Sequence, residues 1–169
     1  MTVIDSTLRN KLNEYAPKYY KQKKNGNKEK TDEIFNKLGL DTHGFDCVEA
    51  GEGRQIYDMS ILGYPDYVLK LAIHSSKYDG QEQNKKEVKL WDNATDSQRD
   101  FLVPVVEHGP DYFWLIMPFG DQDIEYNYKR IQDLKYELRD LVWDEELREE
   151  HYVKVNGKIK LCDYGVKKE

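Results

Sequence analysis

The chain has 169 residues, a formal net charge of −6 and 34% charged side chains, enough for one domain that buries roughly 70% of the surface its unfolded chain exposes. No segment approaches the roughly 18 consecutive apolar residues of a membrane span, and an acidic balance argues against generic DNA binding. The two cysteines, Cys47 and Cys162, are too few and too far apart for a secreted disulfide framework or a CxxC zinc site, so a soluble cytoplasmic protein with no membrane partner is expected.

Residues 1–44 read as a helical N-terminal appendage. Ser6 or Asp5 caps a helix that carries Leu8, Leu12 and Tyr15 on one face until Pro17. Thr31 precedes a second helix, which Gly39 is suited to close. Between them lies a stretch, from Lys18 to Lys30, with six lysines in thirteen positions. Its asparagines and glycine read as a solvated loop, and weak contact with phosphates is the only nucleic-acid role it offers.

From residue 45 the texture changes. "FDCVEAGEG", "RQIYDMS" and "DYVLKLAI" are short β-like runs separated by glycines and by the Gly63-Tyr64-Pro65-Asp66 turn, which suggests an antiparallel meander. Asp79 caps a polar helix whose apolar contacts are Val88, Leu90 and Trp91. "FLVPVVEHG" and "YFWLIMPFG", joined at Gly109-Pro110-Asp111, are expected to be the most buried strands. Between residues 127 and 147, Ile131, Leu134, Leu138, Leu141 and Val142 fall on one helical face. "HYVKV" and "KIKLC" flank Asn156-Gly157, a pair suited to the positive φ angles of a type I′ hairpin. The fold class is therefore α+β, with an antiparallel sheet of about five strands.

Three features bear on chemistry. Gly51 and Gly53 lie between two strands, where a backbone without Cβ approaches a phosphate closely; a plain turn uses the same residues. Lys70 sits among Val68, Leu69, Leu71 and Ala72, and a charge in so apolar a strand needs a partner or an anion, unless the strand is half exposed and the lysine snorkels. Glu87, seventeen residues later on the polar helix, supplies such a partner. Asp163 follows Ile159 and Leu161 on the inward side of the last strand, where a carboxylate needs a cation or donors, and Gly165 turns the chain.

In this order the features resemble a protein kinase. "GEGRQIYD" is similar to the glycine-rich loop, "YVLKLA" to the strand bearing the phosphate-binding lysine, and "NKKEVKLW" to the helix that supplies its glutamate. "NGKIKLCDYG" resembles the hairpin that ends in a metal-binding aspartate. The pattern is similar to small kinase-like proteins of haloarchaea, phages and mobile elements. The resemblance implies a small kinase lobe over residues 45–126, with a five-stranded antiparallel sheet and its helix, and a reduced second lobe over residues 127–169. It implies ATP as ligand, held by Gly51, Gly53, Lys70 and Glu87, with Mg²⁺ on Asp163.

The catalytic segment departs from the pattern. A kinase places its base and a metal-binding asparagine ahead of this aspartate; "DEELREEHYV" puts Glu150 or His151 at the asparagine position, and Asp144 or Glu146 is left as the candidate base. Only four residues follow Gly165, so the resemblance implies no activation or peptide-binding segment. A pseudokinase that binds a nucleotide or a host or viral protein partner is the preferred expectation. A minimal active kinase and a non-enzymatic inhibitor on the same scaffold are the alternatives. His151 and Cys162 are expected to face each other across the hairpin through packing. Tyr112, Phe113, Trp114 and Phe119 are expected as core and hinge wall.

Overall fold

A computed structural model describes residues 2–40, 47–50 and 53–165, with the side chains of 47–50 excepted. The fold is α+β, with five α-helices, an antiparallel sheet and a separate C-terminal hairpin among the described residues. Helices α1 (Ser6–Lys24) and α2 (Lys28–Lys37) come first, followed by β1 (Cys47–Ala50), β2 (Arg54–Asp58) and β3 (Tyr67–Ala72). Helix α3 (Gly80–Asn93), the short α4 (Asp96–Arg99), β4 (Glu107–His108) and β5 (Trp114–Pro118) come next. The chain closes with α5 (Tyr128–Leu138), β6 (Tyr152–Val155) and β7 (Lys158–Leu161). Four full strands run in the order β1-β2-β3-β5, and the two-residue β4 pairs on the outer side of β5.

Alternation along the strands decides what each sheet face covers. Leu69 pairs with Ile116 and Leu71 with Trp114, and all four share a core with Leu8, Leu12, Ala16 and Tyr19 of α1 and Ile34 and Phe35 of α2. The opposite parity sends Leu115 and Met117 into a second core with Val88 of α3, Leu134 of α5 and Leu161 of the hairpin. Both faces are thus covered, which is why β3 reads as a nearly continuous apolar run. Polar contacts fasten α1 as well: Glu107 accepts from the Val3 amide at 3.0 Å and pairs with Arg9, and Trp114 donates to Asn13 at 3.0 Å.

Several local expectations are corrected. Helix α1 does not stop at Pro17 but continues to Lys24. A proline inside a helix forfeits a hydrogen bond and costs about 3 kcal/mol, and burial of Leu12, Ala16 and Tyr19 on either side of it offsets that loss. The lysine-rich stretch is accordingly mostly helix, the end of α1 and the start of α2, with its six lysines exposed. Asn27, not Thr31, caps α2 by accepting from the Lys30 amide, while Gly39 closes it at φ +77°.

"FLVPVVEHG" is not a strand along its length. Pro104 has no N–H to donate, and the segment divides around it. The Val103 amide bonds Leu161 of β7, and the Val106 amide bonds Ile116 of β5, so one extended stretch ties the hairpin to the sheet. Helix α5 ends at Leu138, short of Leu141 and Val142, and Val142 packs in the core beyond it. The hairpin turn agrees with its sequence: Asn156 has φ 50° and Gly157 φ 77°.

Because α1 packs Leu8, Leu12, Ala16 and Tyr19 into the same core as β3 and β5, Leu12→Ala is expected to lower the unfolding free energy of the whole chain by about 2–5 kcal/mol, with one cooperative transition in a denaturant titration. An early transition separate from an unchanged main one would show instead that the N-terminal helices fold on their own.

Candidate functional site

The site lies where β2, β3, α3 and the exit of β7 meet. Ile56 of β2 is opposite Lys70 of β3, so Arg54, two residues earlier on β2, projects from the same face as Lys70. On α3, Asn84, Glu87 and Val88 follow helical spacing onto the face that meets the sheet, and Glu87 is 0% exposed. Two glycines set the depth of this docking. A Cβ on Gly80 would fall 1.7 Å from the Gly53 carbonyl oxygen, and one on Gly165 would come within 2.8 Å of the Gln83 carbonyl oxygen. Helix α3 therefore touches both the start of β2 and the Asp163-Tyr164-Gly165 triplet through backbone.

Glu87 is the hub. Lys70 Nζ donates to its two carboxylate oxygens at 3.0 and 3.1 Å, Arg54 donates to it, and the Tyr164 amide reaches it at 3.3 Å. Lys70 also donates to the Cys162 carbonyl at 2.7 Å. The second terminal nitrogen of Arg54 donates to Asp163, and Asn84 accepts from the first at 3.4 Å. Tyr164 runs into the core, where its hydroxyl donates to the Val103 carbonyl at 2.5 Å. No buried side-chain nitrogen or oxygen among the described residues is left without a partner.

The electrostatics follow from these contacts. Burial opposes the charge on Arg54, but Glu87 and then Asp163 outweigh it and hold the guanidinium protonated beyond its ordinary range. Burial likewise favours a neutral Asp163, yet Arg54 and then Lys70 overcome it and bring the carboxyl down to about 2. Burial, and next the charge of Glu87, pushes the Tyr164 hydroxyl well up.

Beside this cluster opens a small apolar cleft with a cavity volume of about 50 Å³. Ile56 and Val68 line it from the sheet, Met117, Phe119 and Gly120 from the end of β5, and Val153 from the hairpin, with Lys70 and Asp163 at its polar end. Gly120 lies so close to Val153 that a Cβ would come within 2.4 Å of it, which joins the sheet to the hairpin along one edge of the cleft.

Lys70, Glu87 and Asp163, far apart in sequence, are thus brought together. Gly53 instead packs on Gln83 and Tyr78, with its carbonyl accepting from Ile73 at 2.9 Å, and Gly51 lies outside the described residues. Glu146 sits on a 3-10 turn, and burial followed by the nearby charge of Asp163 raises its carboxyl. Asp144 starts the same turn exposed to solvent and does not line the cleft. His151 bonds the Glu146 carbonyl through Nδ1 at 2.8 Å and meets Cys162 backbone to backbone. Of the four aromatics singled out, Phe119 lines the cleft and Trp114 is core.

The donor set does not fit a divalent cation. Asp163, the carboxylate at the polar end, already receives a guanidinium, and no group of three His, Cys, Asp or Glu side chains among the described residues is placed to hold a metal. Arg54 is the residue that sequence reasoning missed. No protein-family model matches the chain, and no curated protein matches it.

The depressed Asp163 carboxyl makes an acid-stability prediction. Its folded pKa of about 2 lies below the ordinary 3.8, so its stabilising contribution is complete above that ordinary value and is lost as pH falls toward 2. Denaturant unfolding between about pH 5 and about pH 2 is expected to show a shallower loss for Asp163→Asn than for wild type. Parallel curves would remove Asp163 from the charge cluster.

Proposed function

We propose that this protein is a kinase-like nucleotide-binding protein that works by binding rather than by efficient phosphoryl transfer. The observation that carries the reading is the apolar cleft between sheet and hairpin, whose polar end is formed by Lys70 and Asp163 with Glu87 behind them. A flat base suits a cleft walled by Ile56, Val68, Met117 and Val153, and a place between sheet and hairpin is of the kind that ligand sites favour.

Binding is favoured over catalysis because, among the described residues, the carboxylate at the polar end is Asp163, which Arg54 already holds. Asp144 is exposed, and Glu146 is not among the side chains that line the cleft. One feature supports the minimal-kinase alternative: burial and Asp163 raise the Glu146 carboxyl, the direction in which a general base is tuned.

Thermal unfolding with millimolar adenosine or ATP tests the reading. A higher melting temperature is expected for wild type and none for Val68→Phe, whose ring fills the cleft. Absence of a shift with either compound in wild type would defeat the proposal and leave a protein-binding or inhibitory role. With labelled ATP, neither autophosphorylation nor transfer is expected; label that disappears in Glu146→Gln would establish the enzyme instead.

A further inference from the structure

We propose that Arg54 stands permanently where a phosphate-bridging divalent cation would act, so that the cleft takes an uncharged nucleoside-type ligand and gains nothing from phosphates or metal. This rests on the reading of the cleft as a nucleotide-type site and names its ligand class.

The inference comes from counting charges and donors. Lys70 and Arg54 contribute two positive charges, and Glu87 and Asp163 two negative ones, so the cluster is neutral as built. Lys70 has three N–H donors; contacts with both Glu87 oxygens and the Cys162 carbonyl occupy it. Arg54 is 5% exposed, with its terminal nitrogens directed to Glu87, Asn84 and Asp163. Among the described residues, those that line the cleft offer an entering polyphosphate no uncommitted cation. The carboxylate it does meet is Asp163, whose side chain keeps 32% of its exposure, with Glu146 near enough to feel its charge.

For a phosphate to engage Lys70, Glu87 would have to surrender it, leaving a carboxylate with no exposure one of its two cations short. Breaking one pair of a buried ion cluster is costly to a fold. A metal faces the same barrier at Asp163, because Arg54 is tethered to β2 and cannot leave as a water molecule would. The apolar walls remain open to a ligand that carries no charge.

Calorimetric titration of the full chain with adenosine, with ATP and magnesium, and with ATP and EDTA tests this. Dissociation constants for adenosine and ATP within about threefold of each other, unchanged by EDTA, are expected. A phosphate that won even one charge-assisted hydrogen bond would tighten binding by at least about tenfold. ATP at least about tenfold tighter than adenosine, with the gain lost in EDTA, would overturn the inference and leave the nucleotide reading intact. Failure of every ligand to bind would overturn both.

A second arm uses Mn²⁺ as a spin probe. Wild type is expected not to bind it, whereas Arg54→Gln, which frees Glu87 and Asp163 from the guanidinium, is expected to gain a site. Binding of Mn²⁺ at Asp163 in wild type, or a folded Arg54→Gln with no gain, would refute the substitution of arginine for metal. If that variant does not fold, the wild-type titrations decide alone.

Discussion

One buried carboxylate organises this molecule. Glu87 accepts from Lys70 of β3, from Arg54 of β2 and from the backbone of Tyr164 after β7, and α3 carries it to that point. Four elements distant in sequence are tied to two oxygen atoms. Such a cluster is weak evidence for stability, because desolvating the ions offsets much of their attraction, and an apolar set of the same volume often does as well. It specifies arrangement instead. An α3 rotated or shifted by one residue would leave Glu87 without donors, and the Gly80 and Gly165 contacts allow little room for such a shift.

Much of the fold is legible in the sequence wherever a local signal agrees with its tertiary setting. Asn156-Gly157 makes the hairpin turn, Asp79 caps α3 and accepts from the Gln81 amide at 3.0 Å, and Gly39 closes α2. What escapes local reading is which surface covers which. The near-continuous burial of "YVLKLA" requires two covered faces, and α1 and α2 provide the second one. Nothing in their own pattern names the sheet as partner. Pro17 shows the same limit from the other side: its local meaning is an end of helix, and packing of Ala16 and Tyr19 overrides it. Pro104 keeps its local meaning and divides a run that hydrophobicity alone would make one strand.

The site divides in the same way. Lys70 stands out because its neighbours are apolar, Glu87 because it follows at a helix's distance, and Asp163 because Ile159 and Leu161 set the inward parity of β7. Arg54 was hidden in plain view. Taken as the tail of a glycine-rich turn, it looks like an exposed charge; taken as a β2 position two residues before Ile56, it must share a face with Lys70. The parity signal exists in the sequence, but it becomes visible only when the β2–β3 register is known, because a slip of one residue would turn Arg54 toward α1.

That register decides what chemistry the cleft can offer. A metal ion brings two charges, open coordination positions and waters that exchange, so its site can grip an anion and release it. A strand-borne guanidinium brings one charge and a fixed planar fork, and here the fork points away from the cleft's apolar walls into Glu87, Asn84 and Asp163. Its electrostatic work is complete when the chain has folded. On the proposed reading, the arrangement trades the capacity to bind and turn over anions for a preformed wall: the polar end needs no ion to assemble, and α3 and the hairpin are already clamped in place. A site so proposed would recognise shape and apolar surface, and the ligand to suit it is one that leaves the ion pairs undisturbed.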